Sequence, residues 1–441
     1  MKQKAKALPA VLETAKQGRE APLIAGVETE IWTENMLAAL ETGVKGGKWF
    51  SLIDKVYSNT TLKIAWKQVQ RNQGSAGIDK QSIERFEVNA NGYLKELHEA
   101  LKEGSYSPQG VKRRYLPKTG AGSRPLGIPV VKDRIVQTAI KWVVEPLFEK
   151  EFLDSSYGFR PARGCKDALR EVDRLLKAGH TWVVDADLKS YFDTIAHDKL
   201  MQHVESRISD GRLLKLIESY LKQEIIDGAK RWTPETGTPQ GAVLSPLLAN
   251  IYLHPLDQML NQEGYQMVRY ADDFVILCRT RQEAEHALSE VREWVKENTL
   301  ELHPDKTHLG DSSQKGEGFE FLGYRFEAGR RYVRKKSVKS FRDKVRAKTR
   351  RNRSGSLREI IDDLNPILRG WYGYFKHAHR TTFKSNDGFV RRRLRALILK
   401  RNRKKGWGMN VNVHRKYPNA YFAKLELFTS HEAWILASQS R

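Results

Sequence analysis

Three features of this sequence predict an α+β fold. Short apolar runs rich in β-branched and aromatic residues, WVVDADL at 182–188 and MVRYADDFVILC at 267–278, have the length and composition of strands. Apolar residues recur at helical spacing between residues 49 and 101 and again over 247–260. From 330 to 405, Leu, Ile, Val and aromatic residues alternate with 27 Lys and Arg against 5 Asp and Glu, which predicts helices with one buried stripe and one cationic face.

In chain order, residues 1–48 are mixed in character, and Gly43, Gly46 and Gly47 mark a flexible join. Leu52, Ile53, Val56 and Tyr57, then Leu62, Ala65, Trp66 and Val69, predict an amphipathic helical pair, interrupted by NQGSAG at 72–77. The stretch RRYLPKTGAGSRPLGIPVVKDRIVQ at 113–137 sets Lys118 and Arg124 on either side of Gly120 and Gly122. Folded as a hairpin, it can clamp a triphosphate from two sides; as a solvated loop it needs no ligand.

Asp185 and Asp187 are two residues apart, so on a strand both face the same way, and either can ligate a metal. GTPQGAVLSP at 237–246 predicts a loop entering a helix, with Ser245 as N-cap and Pro246 as the first helical residue. A hairpin over 267–278 places Asp272 and Asp273 at its tip. Asp is a favoured turn residue, but two negative charges at the end of a buried ribbon call for a counter-ion. Carboxylates from two strand ends can bind two magnesium ions about 4 Å apart, the arrangement that supports in-line displacement at phosphorus.

A chain of 441 residues has ample length for a sizeable core and for two to four domains. Its formal charge of +24 points to a polyanionic partner, and 22 of those charges are the surplus over 330–405. No apolar run approaches the roughly 20 residues needed to span a bilayer, and no apolar segment follows the basic N-terminus as a signal peptide requires. Cys165 and Cys278 are the only cysteines, without Cys-x-x-Cys spacing, which excludes a disulfide scaffold and a cysteine-based zinc module. The expected setting is a reducing cytoplasm, with no membrane partner.

Tyr270-Ala271-Asp272-Asp273 on a hairpin, preceded by an Asp-bearing strand and the pair Tyr191-Phe192, resembles the palm of a reverse transcriptase. Further motifs follow in order: NQGSAGID at 72–79, YSP at 106–108, the 113–137 stretch, YGFRP at 157–161, the PQG loop, LHPDKT at 302–307, FEFLGYRF at 319–326 and LRGWYGYF at 368–375. Together they resemble the proteins encoded by bacterial group II introns.

That resemblance implies a right-hand polymerase: an unassigned segment (1–48), an N-terminal extension (49–105), fingers and palm (106–329) and a basic helical thumb or domain X (330–441). It implies an RNA-directed DNA polymerase and maturase, whose partners are intron RNA, RNA template, DNA primer and deoxynucleoside triphosphates. It selects Asp187, four residues before Tyr191, as the metal ligand that joins Asp272 and Asp273 around two Mg2+ ions, leaving Asp185 as a supporting or surface group. Lys118 and Arg124 become phosphate ligands, Gln240 lines the nucleotide pocket, and Tyr191 and Phe192 test the sugar 2'-position, although Phe192 also reads as aromatic core. Arg160 contacts template or nucleotide, or else packs in a turn. Arg391, Arg392, Arg393 and Arg395 form the expected RNA-binding face. Family members often continue into a nuclease domain bearing Cys and His; no such cysteines occur before Arg441, so no endonuclease domain is expected. Other readings are an RNA-binding splicing cofactor with incidental polymerase activity and a domesticated, CRISPR-associated or repair, reverse transcriptase.

Overall fold

The computed structural model describes residues 30–44, 46–117 and 122–439. Its strands are β1 (Val111–Pro117), β2 (Ser123–Ile128), β3 (Trp182–Asp187), β4 (Ile225–Asp227), β5 (Lys230–Trp232), β6 (Gln266–Tyr270), β7 (Asp273–Cys278), β8 (His308–Asp311), β9 (Phe319–Phe321), β10 (Tyr324–Glu327) and β11 (Arg330–Val333). Helices make up most of the remainder, so the α+β class holds. The chain divides into two compact units, each drawn from three stretches. One comprises Met1–Glu171, Leu188–Asp272 and Ser289–His303; the other comprises Val172–Asp187, Asp273–Leu288 and Pro304–Arg441. The grouping is interleaved, whereas the division read from sequence is consecutive.

In the first unit, the helix Asn59–Asn72 starts where the Ser58 side chain accepts from the Thr61 amide, and it buries Leu62, Ala65, Trp66 and Val69, the stripe its periodicity predicts. It lies beside Val131–Glu149, which is buried along nearly its whole length. Burial of Asp133 and Arg134 on that helix is tolerated because both are bonded. Asp133 accepts from the Tyr106 hydroxyl (2.5 Å), the Gln109 amide (3.1 Å) and the Gln223 side chain (2.7 Å). Burial outweighs those donors and pushes its carboxyl up to about 6. Arg134 donates to the carbonyls of Pro129 and Ser75 and so ties down the 72–77 loop. Gly77 in that loop has no room for a side chain, since a Cβ would come within 2.7 Å of the Val130 backbone. The unit's sheet runs β2-β1-β4-β5. β1 and β2 form the expected antiparallel hairpin, from Lys112 opposite Ile128 to Pro117 opposite Ser123. β4 joins β1 in parallel and turns back as β5.

In the second unit, β3 lies between β7 and β8 and is antiparallel to both. β9, β10 and β11 form a separate antiparallel meander. The helices Lys335–Lys348, Leu357–Phe375 and Thr381–Arg401 bury one apolar cluster that includes Phe341, Val345, Leu364, Leu368, Leu394 and Leu397. Leu357–Phe375 opens with a capping box, Ser356 and Glu359 each satisfying the other's backbone amide. The block at 368–375 packs two ways. Trp371 packs against Phe341 with ring centroids 4.5 Å apart and planes tilted by 31°, while the Tyr374 hydroxyl donates to the Leu322 carbonyl and the Tyr324 hydroxyl to the Tyr374 carbonyl. The expected basic helices are thus folded on a core of their own. Among the described residues, no helix is long and apolar enough to cross a membrane.

Candidate active site

The register of β3 and β7 decides where the carboxylates lie. Asp187 is directly opposite Asp273, and Asp185 is opposite Val275. Because side chains alternate along a strand, Asp185, Asp187 and Asp273 all project from one face near the end of the ribbon. They line a cleft of about 480 Å3, shared with Lys306, Glu317 and Glu320. Like charges so close repel, and burial adds to the cost: desolvation, followed by the charges of Asp273 and Asp187, pushes the Asp185 carboxyl up to about 7. Lys306 offsets part of this repulsion, its ammonium 3.1 and 3.2 Å from the two oxygens of Asp187. Of the two places expected for Asp185, supporting or surface, the structure excludes the surface: it lines this acidic cleft on the face it shares with Asp187.

On the chain segment before β7, the first unit builds the turn. Ala271 adopts φ of +62°, a left-handed conformation costing a non-glycine residue about 1–2 kcal/mol. Arg269, buried without exposed side-chain surface, holds it there: its guanidinium donates to the Ala271 carbonyl (3.0 Å), to Asn250 (2.9 Å) and bidentately to Asp257 (2.7 and 2.5 Å). Asn250 in turn donates to the Gly158 carbonyl at 2.8 Å. A Cβ on Gly158 would stand 2.2 Å from the Ala271 amide nitrogen, so the YGFRP motif supplies a glycine against which the turn can close. Arg269, Asp257 and Asn250 were missed from sequence, where an Arg inside an apolar run and polar residues inside a helix carry no sign of being partners. Arg160 in the same motif is buried, paired with Glu149 and donating to the Leu153 and Ser156 carbonyls. This decides for the packed-turn reading.

A second cleft, of about 380 Å3, lies wholly in the first unit and is lined by Arg113, Phe192, Trp232, Pro239 and Gln240 among others. Arg124 on β2 reaches Gln240, its Nε donating to Oε1 at 2.7 Å. Three residues expected at the nucleotide are therefore together: Arg124, Gln240 and Phe192. The PQG loop is fastened to both sides of the cleft. The Gly127 amide donates to the Gln240 carbonyl at 2.6 Å, and the Thr238 amide donates to the Phe192 carbonyl at 2.7 Å. Gly241, at φ of +106°, sits where a Cβ would be 2.6 Å from the Gly127 carbonyl oxygen. Tyr191 does not join this group. It is 2 % exposed and donates its hydroxyl to the Ala249 carbonyl at 2.6 Å, whereas Phe192 lines the cleft. Lys118 lies outside the described residues. The helix beyond the loop starts at Ser245 itself, with Leu244 as its cap residue, one position earlier than read from sequence. The Ser245 hydroxyl is drawn back to the Pro239 carbonyl, 2.8 Å away.

The four arginines expected to face RNA also divide. Arg391 and Arg392 are half-buried. Arg393 donates to the Thr349 side chain (3.0 Å) and carbonyl (2.6 Å). Arg395 is 3 % exposed, donates to the Tyr417 carbonyl and the Asn419 side chain, and lies over the Phe422 ring. For Arg395 the expectation of a solvent-facing cation fails, because its guanidinium joins helices within the fold.

Among the described residues, no group of three or more His, Cys, Asp or Glu side chains stands ready to hold an ion. The donor chemistry nevertheless fits a hard divalent cation: Asp187 and Asp273 are opposed carboxylates, and the Lys306 ammonium already pairs with Asp187.

Comparison with known proteins agrees with this geometry. The family "Reverse transcriptase (RNA-dependent DNA polymerase)" matches residues 116–326, which contain the end of β1, all of β2, the PQG loop and the cleft carboxylates. This is the catalytic domain of an RNA-directed DNA polymerase. The family "Group II intron, maturase-specific domain" matches residues 338–417, and the chain belongs to the reverse transcriptase/maturase proteins of group II introns. It is similar to Protein YkfC of Escherichia coli, 35% identical over 288 residues that cover 56% of this chain and 75% of that protein. It is also similar to the group II intron-encoded protein LtrA of Lactococcus lactis, 37% identical over 202 residues. That match covers 45% of this chain and 33% of LtrA. A 91 kDa protein in the cob intron of Schizosaccharomyces pombe is 34% identical over 209 residues, 47% of this chain and 25% of that protein. The chain thus spans most of YkfC but a third or less of the two intron proteins.

Proposed function

We propose that Asp187, Asp272 and Asp273 form the catalytic carboxylate set of this polymerase, that they hold two magnesium ions, and that the protein copies RNA into DNA from a primer. The observation that carries the reading is the register placing Asp187 opposite Asp273, with Asp272 adjoining through the peptide bond. Bound there, magnesium supplies Lewis acidity to the primer hydroxyl and to the departing pyrophosphate. The chain itself contributes position and charge. Arg124, held by Gln240, meets the triphosphate together with Lys118, and Phe192 closes the cleft against the sugar. The segment 330–441 acts as thumb and maturase domain, binding intron RNA and assisting splicing and mobility, on the strength of its charge and of the maturase-specific family match. Segments 49–105 and 106–329 serve as N-terminal extension and as fingers and palm.

Primer extension on an RNA template, run beside intron splicing with the variant Asp272→Ala/Asp273→Ala, tests the reading. DNA synthesis is expected to vanish while RNA binding and splicing assistance persist in a protein of unchanged melting temperature. Retained synthesis would remove the carboxylate assignment, and lost splicing would remove the separation of the two activities.

A further inference from the structure

The most exposed tryptophan in the second unit has no role in anything described above. Trp407 is 64% exposed, beside Met409 at 70% and Val411 at 64%, in a segment whose surroundings are strongly cationic. Between 401 and 416 there are six Lys and Arg and no Asp or Glu, and Arg350 and Arg351 lie on the turn that the segment touches, where Arg353 is paired with Asp363. A lone exposed apolar side chain is ordinary, but several together within a polar surround mark an interaction surface, and Trp407, Met409 and Val411 are all exposed within five residues.

The backbone around it is held in place. Gly406, at φ of +129°, accepts at its carbonyl from Arg351, whose guanidinium lies 5.2 Å from the Trp407 ring centroid. On the other side Gly408, at φ of +76°, presses so closely on the helix Thr381–Arg401 that a Cβ would come within 2.8 Å of the Arg392 carbonyl and 2.9 Å of the Ala396 amide. Arg401 fastens the same helix end to the facing turn by donating to the Arg353 and Gly355 carbonyls. Two glycines pinned to neighbouring elements thus present one indole outward, with a guanidinium already against it.

We propose that Trp407 is a stacking platform for an unpaired base of a bound RNA, with the surrounding lysines and arginines holding the phosphates on either side. The proposal deepens the RNA-binding reading of segment 330–441 and rests on it. Charge chooses the partner: a segment of 16 residues with six cations and no carboxylate attracts a phosphate backbone, while the indole supplies what charge alone cannot, preference for an exposed base. A fully paired helix buries its base faces and offers such a platform nothing to stack on.

The test is filter binding of the full chain to two probes, a short oligoadenylate and a blunt RNA duplex, each titrated with salt. Trp407→Ala should weaken oligoadenylate binding on the order of tenfold, equivalent to about 1.4 kcal/mol and within the range for one base–aromatic stack. The salt slope should not change, because no phosphate contact is removed, and duplex affinity should stay as in wild type. Trp407→Phe should recover most of the loss. Lys404→Ala/Lys405→Ala should do the opposite, lowering the slope on both probes. Equal loss on both probes, no loss on oligoadenylate, or failure of Phe to rescue overturns the platform. If wild type binds neither probe, the RNA-binding reading of the whole segment fails, an outcome that no Trp407 variant alone can mimic.

Discussion

The carboxylates on β3 and β7 and the arginines of the helix Thr381–Arg401 are two concentrations of like charge that the fold handles in opposite ways. The three acidic groups remain together on one face because antiparallel register leaves them no alternative, and burial with mutual repulsion drives Asp185 up to about 7. The arginines are distributed by a helix, whose turn carries successive residues to different sides. Arg391 and Arg392 keep partial exposure, whereas Arg393 and Arg395 are drawn into bonds with Thr349, Tyr417 and Asn419. Concentrated charge therefore marks a site only where the backbone period keeps it on one face. Where the period disperses it, part of the charge becomes structural.

Breaking the acidic side of this comparison should have the largest effect. Asp273→Asn removes a charge and almost no volume, so the fold should be kept while primer extension falls a hundredfold or more, on the order seen when an electrostatic contact to a transition state is lost. A rate near wild type would place the chemistry elsewhere.

Next comes the buried arginine. Arg395→Ala leaves the Tyr417 carbonyl and Asn419 unpaired and opens space above Phe422, and should destabilise the protein by about 2–3 kcal/mol in urea unfolding. The salt slope of RNA binding should stay where it was. A lower slope with unchanged stability would return Arg395 to the RNA-facing group.

The arginine on β2 sharpens the contrast between a charge beside a cleft and one held for packing. Arg124 is bonded to Gln240 beside a cleft, not inside a core, so Arg124→Ala should raise the nucleotide KM about tenfold through loss of a charge-assisted contact while changing RNA affinity little. Parallel loss of both would make the hairpin a template contact.

The smallest effects belong to the half-buried pair. Arg391→Ala and Arg392→Ala should each leave stability within about 0.5 kcal/mol. Each should reduce the salt slope of RNA binding by up to about 0.9, or about 0.7 on single strands.

Much of this protein was determined by local sequence. The helix over Asn59–Asn72, the β1–β2 hairpin, the strands that carry the carboxylates and the basic helical C-terminal part all follow from periodicity, turn residues and composition, which act over a few residues at a time. The order of short motifs further sufficed to place Arg124, Phe192 and Gln240 at one site, although they are far apart in the chain. Only tertiary structure could decide which polar side chains were partners. Arg269 finds Asp257 and Asn250, Arg160 finds Glu149, Tyr191 turns inward to Ala249, and Arg395 leaves the surface for Tyr417. Each depends on burial: once out of water, a polar group must be satisfied by whatever the folded chain brings alongside it, and that neighbour is set by packing between elements, not by spacing within one.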